Sequence, residues 1–172
     1  TVHVSLLRKT LGAAVPIGAI PKGGYRLLRE TESAATLTVG QSRVREGVLR
    51  GRYFWNKLTR SSLDRAASAF EEALGLDPDS AEAHSGLCDT RLMQGLFGFN
   101  PDRAVFSVAR VHGQRAAEIG ARSADAQASF AFSQLFDRFA FDIAEAALNR
   151  ARELSPTQVD LHLWSVLFHA LR

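Results

Sequence analysis

The sequence predicts a mainly α-helical solenoid of helical hairpins, preceded by a short helix and a β-hairpin. The main observation is a repeated step of small, large and small residues, which places one face of a helix very close to a neighbouring helix. A proline ends two of the three copies, as expected where a helix stops. The three copies are Ala66, Phe70, Ala73 and Pro78; Ala109, Gly113, Ala116 and Ala121; and Ala144, Leu148, Ala151 and Pro156.

The composition agrees with a folded chain that lies in a reducing compartment. With 172 residues, of which 46% are hydrophobic, the chain can bury a core. Its single cysteine, Cys88, excludes an internal disulfide. No apolar run reaches the ~18 residues that a membrane span needs, so we expect a cytoplasmic protein. The chain begins with Thr1 rather than Met, and we expect it to be a fragment of a longer protein.

The charge is divided unequally along the chain. Residues 1–60 contain 11 Lys and Arg against 3 Asp and Glu, a net charge of +8. Residues 61–172 contain 10 against 15, a net charge of −5. A basic segment before an acidic body indicates a polyanionic partner for the first segment. The alternative is that the arginines only solubilise an exposed face.

The first 28 residues predict one short helix and a hairpin. Val4, Leu7 and Leu11 follow helical spacing, and Gly12 is a natural stop. Turn-forming residues then separate short β-prone pieces: Pro16, Pro21, Gly23 and Gly24.

Two segments of this region, VHVSLLRKTLG and IPKGGYRLL, resemble the recognition helix and the wing of the OmpR-type winged-helix domain of bacterial transcription regulators. The resemblance covers about 30 residues, and it implies that the rest of such a domain lies upstream. It also implies DNA binding, with base edges read by the helix and phosphates held by basic residues. The candidate DNA-binding residues are His3, Ser5, Arg8, Lys9, Lys22 and Arg26.

Two domains joined by a linker are expected along the chain. Residues 1–28 form the C-terminal part of the winged helix, and residues 29–42, which lack helical periodicity, form a linker. Residues 43–172 show helical patterns to the end and resemble tetratricopeptide (TPR) repeats, with about three repeats and the first helix of a fourth. The first copy matches the TPR signature at Gly51, Phe54, Ala66, Phe70, Ala73 and Pro78.

The TPR resemblance implies a concave groove, lined by the first helix of each hairpin, that binds a protein or peptide partner. The groove residues placed by the repeat register are Arg45, Arg52, Trp55, Asn56, Glu82, Ser85, Asp89, Met93, Asp125, Phe132 and Phe136. For the aromatic residues, packing between repeats is the alternative. The set lacks the recurring Lys, Arg and Asn residues with which co-chaperone repeats clamp a C-terminal carboxylate.

These features favour part of a DNA-binding transcriptional regulator whose TPR-like domain binds a protein or an effector. The alternatives are a TPR interaction scaffold, or the regulatory repeat domain of a signalling enzyme such as a cyclase or kinase. No catalytic or metal-binding motif is present, so neither enzymatic activity nor a cofactor is expected. The apolar residues of the last helix, from Leu161 to Leu171, need cover from further repeats or from self-association.

Overall fold

The computed structural model describes residues 17–20, 24–27, 39–157 and 168. The chain divides into two units, residues 1–38 and 39–172. In the first unit, strand β1 (Ile17–Ile20) pairs antiparallel with strand β2 (Gly24–Leu27), and Ile17 lies opposite Leu27. These strands occupy the segment for which the sequence predicts a hairpin. The helix expected in residues 1–12 lies outside the described residues.

The second unit consists of helical hairpins, and six of its helices are described. They are α1 (Val39–Trp55), α2 (Arg60–Leu76), α3 (Ala81–Leu96), α4 (Ala104–Ile119), α5 (Ala124–Arg138) and α6 (Phe141–Leu154). Each helix contacts the next one along the chain, and α3 also contacts α1 and α5. Contacts restricted to near neighbours are the hallmark of a repeat protein.

Helix α1 corrects the expected boundary between linker and repeats. It begins at Val39, so the last four residues of the predicted linker, 39–42, are helical. The first turns of α1 are largely exposed, and the buried residues begin only at Gly47 and Val48. Apolar periodicity therefore cannot reveal where this helix starts.

The other end of α1 is defined by backbone geometry and by a cap of the next helix. The helix stops at Trp55 because Leu58 adopts a left-handed backbone with φ of 50°. Thr59 then caps α2: its hydroxyl accepts a hydrogen bond from the Ser62 amide, and the Ser62 hydroxyl accepts one from the Thr59 amide. This reciprocal pair satisfies two amides that would otherwise lack partners.

The aromatic ring of Phe70 is the centre of the first core cluster. Phe70 is 1% exposed and inserts between α1 and α3, where both helices present glycine. A Cβ at Gly51 would lie 2.6 Å from this ring, and one at Gly86 would also collide with it. The close approach of α1 and α3 to this ring therefore leaves no room for a side chain at Gly51 or Gly86. The buried cluster comprises Val48, Ala66, Ala67, Phe70, Ala73, Ala83 and Leu87.

A second core cluster joins the later helices. Gly113 of α4 lies so close to α5 that an added Cβ would be 2.6 Å from the Ser133 hydroxyl oxygen. Phe168 is 1% exposed, and its ring lies 6.1 Å from that of Phe141. Apart from Phe168, the predicted fourth-repeat helix lies outside the described residues. The cluster comprises Cys88, Leu92, Ala109, Ala131, Phe132, Leu135, Ala144, Ala147, Leu148 and Phe168.

Candidate functional site

The first helices of the three hairpins contribute a group of polar residues that we call the central charged site: Arg52 of α1, Asp89 of α3, and Asp125 and Ser129 of α5. The Arg52 Nη2 atom lies 3.4 Å from Asp125 Oδ2, although 73 residues separate them in sequence. Asp89 lies near both charged groups and is hydrogen-bonded by the Ser129 hydroxyl. Three hairpins therefore supply one continuous polar site.

Asp89 is the least solvated carboxyl group of this site. Burial raises its pKa to about 7, and the negative charge of Asp125 acts in the same direction. The Ser129 hydroxyl and the Arg52 guanidinium stabilise the ionised form but do not offset the burial. Near neutral pH, Asp89 is therefore present in both protonation states.

The Arg52–Asp125 ion pair is loose. Its side chains are 49% and 45% exposed, and the 3.4 Å separation is long for a charge-assisted hydrogen bond. Exposed pairs of this kind contribute about 0–1 kcal/mol to stability, because water screens the attraction and both side chains lose freedom. The guanidinium can leave the carboxylate at little cost.

Met93 lies one turn beyond Asp89 on α3, and Phe136 lies two turns beyond Ser129 on α5; both are half-buried. The ring of Phe136 stacks against Phe132 and Phe106, with 6.3 Å between ring centres in each case. Phe132, expected in the groove, is 3% exposed and belongs to the second core cluster. Its ring is core packing rather than binding surface, because later helices cover it.

The remaining expected groove residues lie on α1, on α3 and in the turn that follows α1. Arg45, Asn56 and Glu82 are exposed, whereas Ser85 is buried. Trp55 is half-buried against the first core cluster, and no acceptor among the described residues reaches its buried indole N–H. Packing therefore accounts for much of the Trp55 surface.

Of the six candidate DNA-binding residues, the structure describes the backbone of Arg26, which lies in β2. His3, Ser5, Arg8, Lys9 and Lys22 lie outside the described residues. Their proposed contacts therefore stay predictions.

A histidine pair between α3 and α4 has no counterpart in the sequence analysis. The Nδ1 atoms of His84 and His112 are 2.9 Å apart, and His84 Nε2 lies 3.0 Å from the Pro78 carbonyl oxygen. A carbonyl only accepts, so His84 donates through Nε2, and His112 donates through Nδ1 when both rings are neutral. Burial, together with positive charge on His84 and Arg91, lowers the pKa of His112 to about 4. The spacing of 28 residues gives no local signal for this pair.

Outside the central charged site, two open cavities flank Phe130. One, of about 450 Å³, lies between α4 and α5, and the other, of about 510 Å³, lies between α5 and α6. Ile143, 49% exposed, lines the second together with Asp142 and Arg150. Both are open clefts lined by polar and apolar side chains.

Two further properties concern only the described part of the chain. Across residues 39–157, no group of three or more His, Cys, Asp or Glu side chains is arranged to hold a metal ion. Within the same limits, each helix is too short or too polar to cross a membrane.

Consecutive hairpins packed through small residues, with a polar site on their first helices, define a TPR-like helical repeat. The chain is similar to the first TPR of Spaghetti (RPAP3) bound to the HSP90 peptide SRMEEVD. The TM-score is 0.58 at 12% identity, covering 76% of this chain and 93% of that one. It is also similar to a thermophilic TPR protein of Thermus thermophilus, with a TM-score of 0.57 at 22% identity. That match covers 77% of this chain and 66% of the Thermus chain.

At such identities the similarity shows the fold alone: a mainly α-helical, TPR-like repeat. No protein-family model and no curated protein matches the chain. These comparisons give no support to a winged helix or to a transcriptional regulator.

Proposed function

We propose that the repeat unit is a protein–protein interaction scaffold that binds a peptide segment along the surface of α1, α3 and α5. One observation carries the proposal: Arg52, Asp89 and Asp125 converge from three hairpins. Charged groups that meet on a rigid surface can fix the register of an extended partner. The peptide bound to the RPAP3 repeat supports this type of partner.

Selection of random dodecapeptides on the full chain tests the scaffold proposal. We expect Asp125→Arg to lower the affinity for the selected peptides by about tenfold or more, because it reverses a charge at the central charged site. Asp142→Arg is the matched control, since Asp142 is likewise the acidic residue in the first turn of its helix but lies on α6. Equal effects of the two changes, or no selected peptide at all, would contradict the proposal. Thermal melts verify that both variants fold.

A DNA-binding transcriptional regulator is the second candidate. It is favoured by the net charge of +8 in residues 1–60 and by the β1–β2 hairpin, which occupies the segment that resembles a wing. In this hypothesis, residues 1–28 contact DNA while the repeats bind a protein or an effector. The regulatory domain of a cyclase or kinase, the remaining hypothesis, is favoured by no feature of the described residues.

Titration of random duplex DNA at several salt concentrations tests the regulator hypothesis. We expect the full-length protein to lose affinity when Arg8, Lys9 and Lys22 are all changed to Gln. The slope of log affinity against log salt should fall by up to about 3, close to one counterion for each lost phosphate contact. Unchanged binding in the triple variant, or no binding by the unaltered protein at low salt, would reject the hypothesis.

A further inference from the structure

We propose that the central charged site binds an arginine or lysine side chain of the partner peptide, and that Arg52 occupies this place in the free protein. The inference rests on the proposed peptide-binding surface and specifies the chemistry of its ligand. Arg52 therefore acts as an internal competitor of the ligand rather than as one of its contacts.

The position of Arg52 is the first argument. Its guanidinium reaches from α1 to Asp125 of α5, and it also acts on Asp89 of the intervening helix α3. A cation is thus already held beside these two carboxyl groups, which shows that the site accepts a guanidinium. Because the Arg52–Asp125 contact is long and both side chains are about half exposed, a ligand cation can replace Arg52 at little cost.

The burial of Asp89 is a separate argument. Asp89 is half-buried, and in the free protein Arg52 and the Ser129 hydroxyl stabilise its charge only in part. A partly desolvated carboxylate with too little opposite charge nearby gains more from a close cation than an exposed carboxylate does. The pKa of Asp89, about 7, reflects this deficit. A bound guanidinium or ammonium group would lower that pKa and displace the proton.

The three carboxyl groups around the site disfavour an acidic ligand. Glu82 lies two helical turns before Asp89 on α3, so an acidic peptide would face Glu82, Asp89 and Asp125. Arg52 at the site and Arg45, two turns before it on α1, would oppose this repulsion, but the charge of Arg52 is already shared with Asp125. A peptide such as SRMEEVD, which the RPAP3 repeat binds, is therefore a poor ligand here. Met93, one turn beyond Asp89 on α3, and Phe136, two turns beyond Ser129 on α5, offer apolar contact to residues that flank the basic one.

Three fluorescein-labelled peptides test the ligand class on the full chain. All alternate Leu with a second residue, which is Arg, Gln or Glu. In low salt we expect the Arg peptide to bind most tightly. Asp89→Asn or Asp125→Asn should lower the affinity for this peptide by about fivefold or more. Arg52→Gln should instead raise the affinity for the Arg peptide by about two- to fivefold, because the competing guanidinium is removed. Fluorescence anisotropy measures each dissociation constant.

Matched controls separate the site from net charge. Glu153 and Arg150 form an exposed pair on α6, so Glu153→Gln and Arg150→Gln repeat the two changes of charge away from the site. These controls should change the affinity for the Arg peptide by less than about twofold, because solvent and salt screen distant charges. Equal effects of the site variants and their controls would overturn the inference.

The sign of the Arg52→Gln effect distinguishes the inference from the scaffold proposal. Weaker binding of the Arg peptide in Arg52→Gln, or a preference for the Glu peptide, overturns the basic ligand. Failure of all three peptides to bind also overturns it. In each case the scaffold proposal stands if Asp125→Arg lowers the affinity for library-selected peptides and Asp142→Arg does not.

Calorimetry gives an independent readout. At pH 7, binding of the Arg peptide should release up to about half a proton, since Asp89 titrates there and a cation favours its ionised form. The measured heat should therefore differ between phosphate and Tris buffers, and this difference should vanish in Asp89→Asn. A buffer-independent heat in the unaltered protein would contradict the placement of the cation beside Asp89.

Discussion

Phe70→Ala is expected to lower the free energy of unfolding by about 3–5 kcal/mol. The Phe70 ring fills the space between the glycine faces of α1 and α3, and its side chain is 1% exposed. Neither Gly51 nor Gly86 has a side chain that could move into the cavity, so the surrounding helices can relax only in part. The cost therefore includes both lost burial and an unfilled cavity.

Urea unfolding followed by circular dichroism measures this change. Phe97→Ala is the control, because Phe97 is 48% exposed in the turn after α3 and should cost less than about 1 kcal/mol. Equal losses in the two variants would contradict the packing of Phe70. A smaller slope with urea for Phe70→Ala would show that the first hairpin unfolds separately from the others.

Ala73→Leu is expected to destabilise the protein by about 1–3 kcal/mol through overpacking. Ala73 is fully buried, and a Cβ built at Gly47 of α1 would lie 3.2 Å from the Ala73 Cβ. A leucine at this position would meet the α1 backbone, which cannot move away without separating the first hairpin. The expected result is a lower melting temperature with a retained helical spectrum.

Gly75→Ala, two residues away on α2, should have the opposite effect. A Cβ at Gly75 would have no neighbouring atom within 4 Å, and the position is exposed. Alanine should therefore stabilise the helix by about 0.5–1 kcal/mol through propensity alone.

An unchanged melting temperature in Ala73→Leu would show that the contact between α1 and α2 is looser than described.

The repeated step of small residues predicted the helical hairpins because close packing imposes it directly. Ala66, Ala73 and Ala109 are fully buried, and the three copies of the step lie in or directly after α2, α4 and α6. Helix ends were less predictable. The start of α1 is an exposed turn without apolar periodicity, and its end depends on the left-handed backbone of Leu58.

The central charged site was predictable only in part. The repeat register placed Arg52, Asp89 and Asp125 on the first helices, but it cannot show that Arg52 reaches across α3 to the third hairpin. Superhelical shift between repeats sets that pairing, and no local pattern encodes it. For Phe132 the packing alternative describes its position, since it is 3% exposed and belongs to the same core cluster as Leu148 and Phe168.

The TPR-like fold and the winged-helix resemblance have different support. The fold depends on packing over about 120 described residues, and solved structures share it. The resemblance in residues 1–28 depends on a short motif and on the basic charge of the segment. Motifs of that length carry little packing information, so a DNA-binding role remains a hypothesis for direct measurement.

The reactivity of Cys88 reports local opening of the helices around it. This single cysteine is fully buried, and its thiol donates a hydrogen bond to the Ser129 carbonyl oxygen 3.4 Å away, across the contact of α3 with α5. Burial also raises the pKa of the thiol well above its usual value, so the folded protein presents almost no reactive thiolate. A disulfide reagent can modify Cys88 only when these helices separate. The labelling rate therefore measures how often the second and third hairpins part, without an introduced probe.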